Sequence, residues 1–127
     1  MNYKRYLVEF DSGADLHGMD VTKAAIKACK GAVSHCCMSG MVDIFDLSSP
    51  LQTVKLDVKL AAPYPDKVDV ERVRQALPPY NNVNIEVVQG GMAVKGLHVE
   101  AFGEGDNIVI VNAAITVYVD MDAVKIK

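Results

Sequence analysis

No block of one charge sign runs through this chain, no apolar run is long enough to cross a bilayer, and its cysteines are too few and too badly spaced for a disulfide framework. Each absence excludes something. The 13 basic and 16 acidic residues are interspersed and leave a net charge of -3. That pattern provides neither the basic stripe of a nucleic-acid binder nor the polybasic arm of a membrane-surface protein. The longest apolar run, Ile108–Val119, is interrupted by Asn112 and Thr116 and is too short to span lipid. Met1–Phe10 alternates polar and apolar residues, unlike the unbroken apolar segment of a secretory signal. Cys29, Cys36 and Cys37 fall in one predicted helix. Two helical turns separate Cys29 from Cys36, roughly 10 Å, whereas a disulfide needs Cα atoms within about 7 Å. Cys36 and Cys37 would point about 100° apart around the helix. Free thiols imply a reducing compartment, so the expected location is cytoplasmic. Internal repeats, low-complexity segments and domain linkers are also lacking.

What is present is an ordinary globular mixture, 50% hydrophobic and 23% charged over 127 residues. It fits a single domain, 1–127, that builds one core without metal or disulfide. Tyr3–Phe10 reads as a strand, with Tyr6, Val8 and Phe10 on one face and Arg5, Leu7 and Glu9 on the other. A glycine-bearing turn follows, Asp11–Gly18. Asp20 is placed to cap a helix whose inner face is small: Val21, Ala24, Ala25, Ala28, Ala32, Val33 and Cys36. Lys23, Lys27 and Lys30 fall opposite, Gly40 is the expected stop, and Gly31 inside the helix costs about 1 kcal/mol relative to alanine. Met41–Leu47 reads as a short turn of helix and Ser48-Ser49-Pro50 as a loop. Thr53–Leu60 alternates cleanly, with Val54, Leu56, Val58 and Leu60 inward. Asp69 caps a second helix carrying Val70, Val73 and Leu77, stopped by Pro78-Pro79. Val83–Gln89 is a third strand, and Met92–Val99 is a short strand or an extended excursion. Ile108–Val119, read as apolar on both faces, belongs in the middle of the sheet, and Met121–Lys127 is a tail, swapped or at an edge.

The expected fold is therefore α/β (α+β): a βαβαββ two-layer sandwich, a mixed four-stranded sheet with two helices on one face. The other face is left open, with Leu7 and the final strand exposing the problem. A homo-oligomer is the usual answer.

The densest polar cluster lies in the turn before the first helix. Asp15 and His17 sit two apart between Gly13 and Gly18. A histidine beside a carboxylate can be oriented for proton transfer, and a helix amino end attracts anions. The same spacing also suits a plain turn in which Asp15 caps and His17 fixes loop hydrogen bonds. Asn112, inside an apolar strand, needs partners if buried; it either orients a ligand or bonds backbone. Three consecutive helical residues, His35-Cys36-Cys37, cannot close on one metal ion as a set, and a buried cysteine behaves as a small apolar residue. Cys36 or Cys37 with a distant histidine would be a nucleophile of another kind. Gly90-Gly91 and Gly103-Glu104-Gly105 lack the lysine and context of a phosphate loop. His98 and Glu100 share a strand face near the second glycine pair and can approach the first-strand turn.

Asp11-Ser12-Gly13-Ala14-Asp15-Leu16-His17-Gly18, followed by Asp20-Val21-Thr22-Lys23-Ala24-Ala25, resembles an uncharacterised family of small bacterial and plant proteins marked by GxGxDxHG near the amino end. Gly13, Asp15, His17 and Gly18 match, and Asp11 replaces the first glycine. The resemblance extends to Gln89–Met92 and Asn112–Val119 and singles out Asp15 and His17. The element order also resembles the βαβαββ fold of monofunctional chorismate mutases, whose ligand sites lie between subunits. The three arginines, Arg5, Arg72 and Arg74, do not form the dicarboxylate pocket of those enzymes.

Three functional expectations follow. In the first, a small-molecule enzyme without a tightly held organic cofactor uses His17 as acid or base with Asp15 orienting it. Gly13, Gly18 and Asp20 at the helix start, with Asn112, hold the ligand, and the site lies at a subunit interface. In the second, the motif builds a turn in a non-catalytic oligomeric scaffold or binding protein. In the third, His17 and Asp15 bind a metal with a ligand from another chain.

Overall fold

The computed structural model describes residues 1–46 and 50–127. The chain runs through strand β1 (Tyr3–Asp15), helix α1 (Val21–Ser34), a short α2 (Gly40–Asp43), β2 (Phe45–Asp46) and α3 (Pro50–Thr53). It continues with β3 (Val54–Ala62), α4 (Val70–Gln75), β4 (Asn82–Gln89), β5 (Met92–Lys95), β6 (Asn107–Asp120) and β7 (Lys125–Ile126). The expected βαβαββ order is present as the backbone of a two-layer α+β fold. Leu47, at the end of the expected helical turn, and Ser48 and Ser49 of the expected loop lie outside the described residues.

The main sheet is mixed and has five strands rather than four, in the order β1-β6-β3-β4, with β5 also paired to β6. β6 is long enough to hold β1 along one edge, from Tyr3 opposite Asp120 to Asp15 opposite Val109. Its other edge is shared by β3, which ends opposite Asn112, and β5, which takes over from Ile110 to Asn107. β3 and β4 are parallel, joined through α4. The central place of β6 follows from its inward residues: Val109, Val111, Ile115 and Val117 are fully buried. Its outward residues correct the expectation of two apolar faces, because Asn112 is exposed and Ala114, Thr116 and Tyr118 are half-buried.

β1 overturns the predicted faces. A register shift between Arg5 and Leu7 adds a residue to the ladder, which sends the following side chains to the opposite face. Tyr6 and Leu7 both pack on the core, and Glu9 is buried. Val8 and Phe10 point outward, 49% and 76% exposed. Leu7 is therefore not the residue left on the open face; Val8 and Phe10 are. The strand also runs five residues further than predicted, so Asp11–Asp15 belongs to β1 and only the residues from Leu16 onward turn.

α1 begins as expected, with the Asp20 carboxylate accepting the Lys23 backbone N–H at 3.0 Å. Ala24, Ala25, Ala28, Cys29 and Ala32 are buried against the sheet. Their small size lets the helix settle onto β1 so closely that a side chain at Gly13 would collide with the Ala24 carbonyl and the Ala28 amide. At Gly31 the Asp11 carboxylate occupies the space a side chain would take, which explains a glycine inside a helix. The helix stops at Ser34, with His35 as its cap bonded to the Gly31 carbonyl, and Gly40 opens α2 instead of ending α1. Cys36 and Cys37 consequently lie beyond the helix that holds Cys29, and all three thiols are free.

α4 is capped by Asp69, which accepts from the Arg72 backbone N–H, and buries Val73 on the same side as α1. The carboxyl-terminal tail folds back on its own chain: Lys125 and Ile126 pair with Asp46 and Phe45, and Lys127 donates to the Ile44 carbonyl at 2.8 Å. No helix among the described residues is long and apolar enough to cross a membrane.

Candidate functional site

β1 ends at Asp15, beneath the first turn of α1. Asp15 is buried, and its Oδ2 accepts the Asp20 backbone N–H at 2.9 Å. The Asp20 carboxylate in turn accepts from Lys23. Two carboxylates thus satisfy two of the orphan amides at the helix start and sit at the positive end of its dipole. At the helix start the amides of Asp20 and Lys23 thus already bond protein oxygens. Asp15 holds the turn to the helix rather than bonding His17.

Between Asp15 and Asp20 the backbone takes two left-handed residues, Gly18 at φ 97° and Met19 at φ 52°. Gly18 is required twice over: positive φ favours glycine, and a side chain there would strike the Phe102 carbonyl oxygen. Phe102 arrives from the loop between β5 and β6. That loop is closed by a bond between His98 Nδ1 and the Gly105 carbonyl at 3.2 Å and by the Gly96 amide on the Asp106 carbonyl.

His17 lies against this loop. Its ring stacks on Phe102, with centroids 5.6 Å apart and planes at 21°. Its Nδ1 is sealed from solvent and has no hydrogen-bond partner among the described residues. A buried polar atom left in this way costs about 1–3 kcal/mol. Asp15, Leu16, His17, Lys23, Lys27 and Phe102 enclose a cleft of about 220 Å³. Lys27 Nζ donates to the Ala14 carbonyl at 3.0 Å, which holds its ammonium at the rim.

Of the predicted site residues, Asp15 and His17 line this cleft, while Gly18 and Asp20 belong to the turn and helix start beside it. Gly13 serves the packing of β1 under α1. Asn112 is elsewhere: it is exposed on the open sheet face, in a depression of about 520 Å³ with Phe10, Ser12, Lys59 and Ala61. That depression is the larger of the two, but none of its polar side-chain atoms is both sealed and unpartnered among the described residues. Lys23, Lys27 and Phe102 are the residues that sequence reasoning missed. The lysines carried a legible signal, one turn apart on the helix that follows the motif; Phe102 carried none. His98 and Glu100 come near only through their loop.

A second titratable group lies under the other end of α1. Burial pushes the Glu9 carboxyl above its usual range, partly countered by a hydrogen bond with the Cys36 thiol. Burial first, and Glu9 second, raise the Cys36 thiol. Burial raises Cys29 to about 11. Raised thiols are poor nucleophiles. His35 Nδ1 lies 3.2 Å from the Asp11 carboxylate. Among the described residues no three His, Cys, Asp or Glu side chains gather as a metal ion would require.

No curated protein matches the chain. A solved structure from Nostoc punctiforme, described as an FtsZ-like protein of unknown function, is 34% identical with a TM-score of 0.81, covering 94% of this chain and 98% of that one. A family model, described as a conserved hypothetical protein, matches residues 5–117, which include the His17 turn, both halves of its cleft and nearly all of β6. With that extent of match, the chain belongs to the Lin0512 family of conserved hypothetical proteins.

Proposed function

We propose that the cleft around His17 binds a small molecule and that the His17 imidazole exchanges a proton with it. The observation that carries this reading is a histidine ring in the cleft lining, held flat against Phe102 with its Nδ1 sealed and unpartnered among the described residues, so that proton exchange falls to Nε2. A turn built only for structure would satisfy Nδ1. Imidazole gives and takes protons near neutrality, which makes it the common general acid or base. Asp15 contributes as a positioning residue, because its bond to the Asp20 amide fixes the turn that carries His17. The cleft is smaller than typical pockets of about 300–1,000 Å³, which suits a ligand of metabolite size.

The test does not require the substrate to be identified first. The protein is incubated in D2O with a pooled extract of small metabolites, and mass shifts are followed with wild type and with His17→Gln. At least one compound should gain deuterium about a hundredfold faster with wild type than without protein, and His17→Gln should remove the gain while unfolding at the wild-type temperature. If no compound exchanges, or the variant exchanges as well as wild type, the proton-transfer reading fails.

A second reading, a self-associating scaffold, draws on a different observation. β1 buries Glu9 and turns Val8 and Phe10 to the open sheet face. An apolar pair exposed in preference to a carboxylate is favourable where a second copy of the chain covers it.

A further inference from the structure

We infer that the ligand of the His17 cleft is a small anion, a carboxylate or phosphate joined to a compact apolar body. This rests on the reading of that cleft as a binding site and names the class of molecule it takes. The cation pair comes from α1. Lys23 and Lys27 are four residues apart and so share one helix face, and both line the cleft. Neither forms an ion pair among the described residues. One donor of Lys27 is held by the Ala14 carbonyl, which fixes the ammonium and leaves two donors free.

The carboxylates nearby do not cancel this pair. Asp15 Oδ2 is directed at the Asp20 amide and Asp20 Oδ1 at the Lys23 amide, both at the positive end of the helix dipole. An incoming anion meets the two ammonium groups of the lining, where the Asp15 carboxylate is already engaged by the Asp20 amide. The lining also has exposed apolar side chains: Leu16 and Phe102 are 54% and 65% exposed. A cleft that combines two cations with exposed apolar side chains matches a molecule that joins an anion to an apolar body. Lysine is a point charge without the fork of arginine, so the site accepts carboxylate and phosphate alike.

Benzoate is the probe, neutral benzamide its control, and inorganic phosphate the bare anion. Binding is read from backbone amide shifts of the first turns of α1 and of residues 100–105. Benzoate should bind at least about tenfold more tightly than benzamide, more weakly as salt rises, and phosphate should displace it. Lys23→Gln with Lys27→Gln, both exposed positions, should remove about tenfold or more of the benzoate affinity. Equal binding of benzamide, benzoate binding unchanged in the double variant, or failure of both anions to bind would overturn the inference. His17→Gln separates it from the proton-transfer reading. Benzoate affinity in that variant that still falls about tenfold when Lys23 and Lys27 are also replaced, with deuterium exchange lost, supports both. Exchange that persists in the double lysine variant at its wild-type rate overturns the anion class alone.

Discussion

Glu9 is the residue at which the local pattern and the folded chain disagree most sharply. It is 9% exposed, hydrogen-bonded with Cys36 and near Tyr80, whose phenol is raised by burial first and by Glu9 second. A carboxyl whose native pKa lies above its unfolded value of 4.5 binds protons more tightly when folded. Its cost is therefore absent below the unfolded pKa and grows as pH rises through the native value. Glu9→Gln, which keeps the shape and the bond to the thiol, should unfold at a higher temperature than wild type at neutral pH, and the gap should close as pH falls toward 4.5. Parallel melting curves that keep a constant gap across pH would show that burial of Glu9 carries no charge penalty. His17 poses the opposite problem, a sealed ring nitrogen with no partner among the described residues, and this rather than spacing to Asp15 marks it.

Among the elements, the turn between β1 and α1 and the loop between β5 and β6 depend on each other. Gly18 and Gly103 approach so closely that a side chain at Gly103 would lie 3.1 Å from the Gly18 Cα. Gly18→Ala would face a φ of 97° and the Phe102 carbonyl together. We expect a loss of about 1–3 kcal/mol in chemical denaturation, with displacement of Phe102 seen as changed ring shifts at His17. Unchanged stability and unchanged His17 shifts would mean that the two segments are not coupled. The register shift in β1 acts on the same scale: one added residue between Arg5 and Leu7 turns Glu9 inward and Phe10 outward.

For the whole molecule, the two helices cover one face of the sheet and leave the other to Phe10, Ser12, Lys59, Asn112, Thr116 and Tyr118. If a second copy covers this face, Phe10→Asp should convert an oligomer to monomer in sedimentation at about 100 µM while altering monomer stability by no more than about 0.5 kcal/mol. A wild-type protein that sediments as a monomer at that concentration removes the scaffold reading. It leaves the His17 cleft untouched, because the cleft lies beside α1 and not on the open face.

Much of the architecture was legible in the residues themselves. Alternation along Val54–Leu60, the small inner face of Val21–Ala32 and the capping positions Asp20 and Asp69 are local patterns, and local geometry realises them directly. Ile108–Val119, read as apolar on both faces, was placed in the middle of the sheet, and β6 lies there although only one of its faces is buried. The candidate turn was legible for the same reason, since Gly13, Asp15, His17 and Gly18 lie within six positions. Tertiary structure alone decided what surrounds it. Phe102 meets His17 only because β5 and β6 carry their loop back over the turn, and Asp15 is drawn from His17 to the Asp20 amide because a helix starts there with unfilled donors. Asn112 was separated from the site by facing the other side of β6. Periodicity fixes which residues share a face, but register, bulges and long-range closure determine which faces meet.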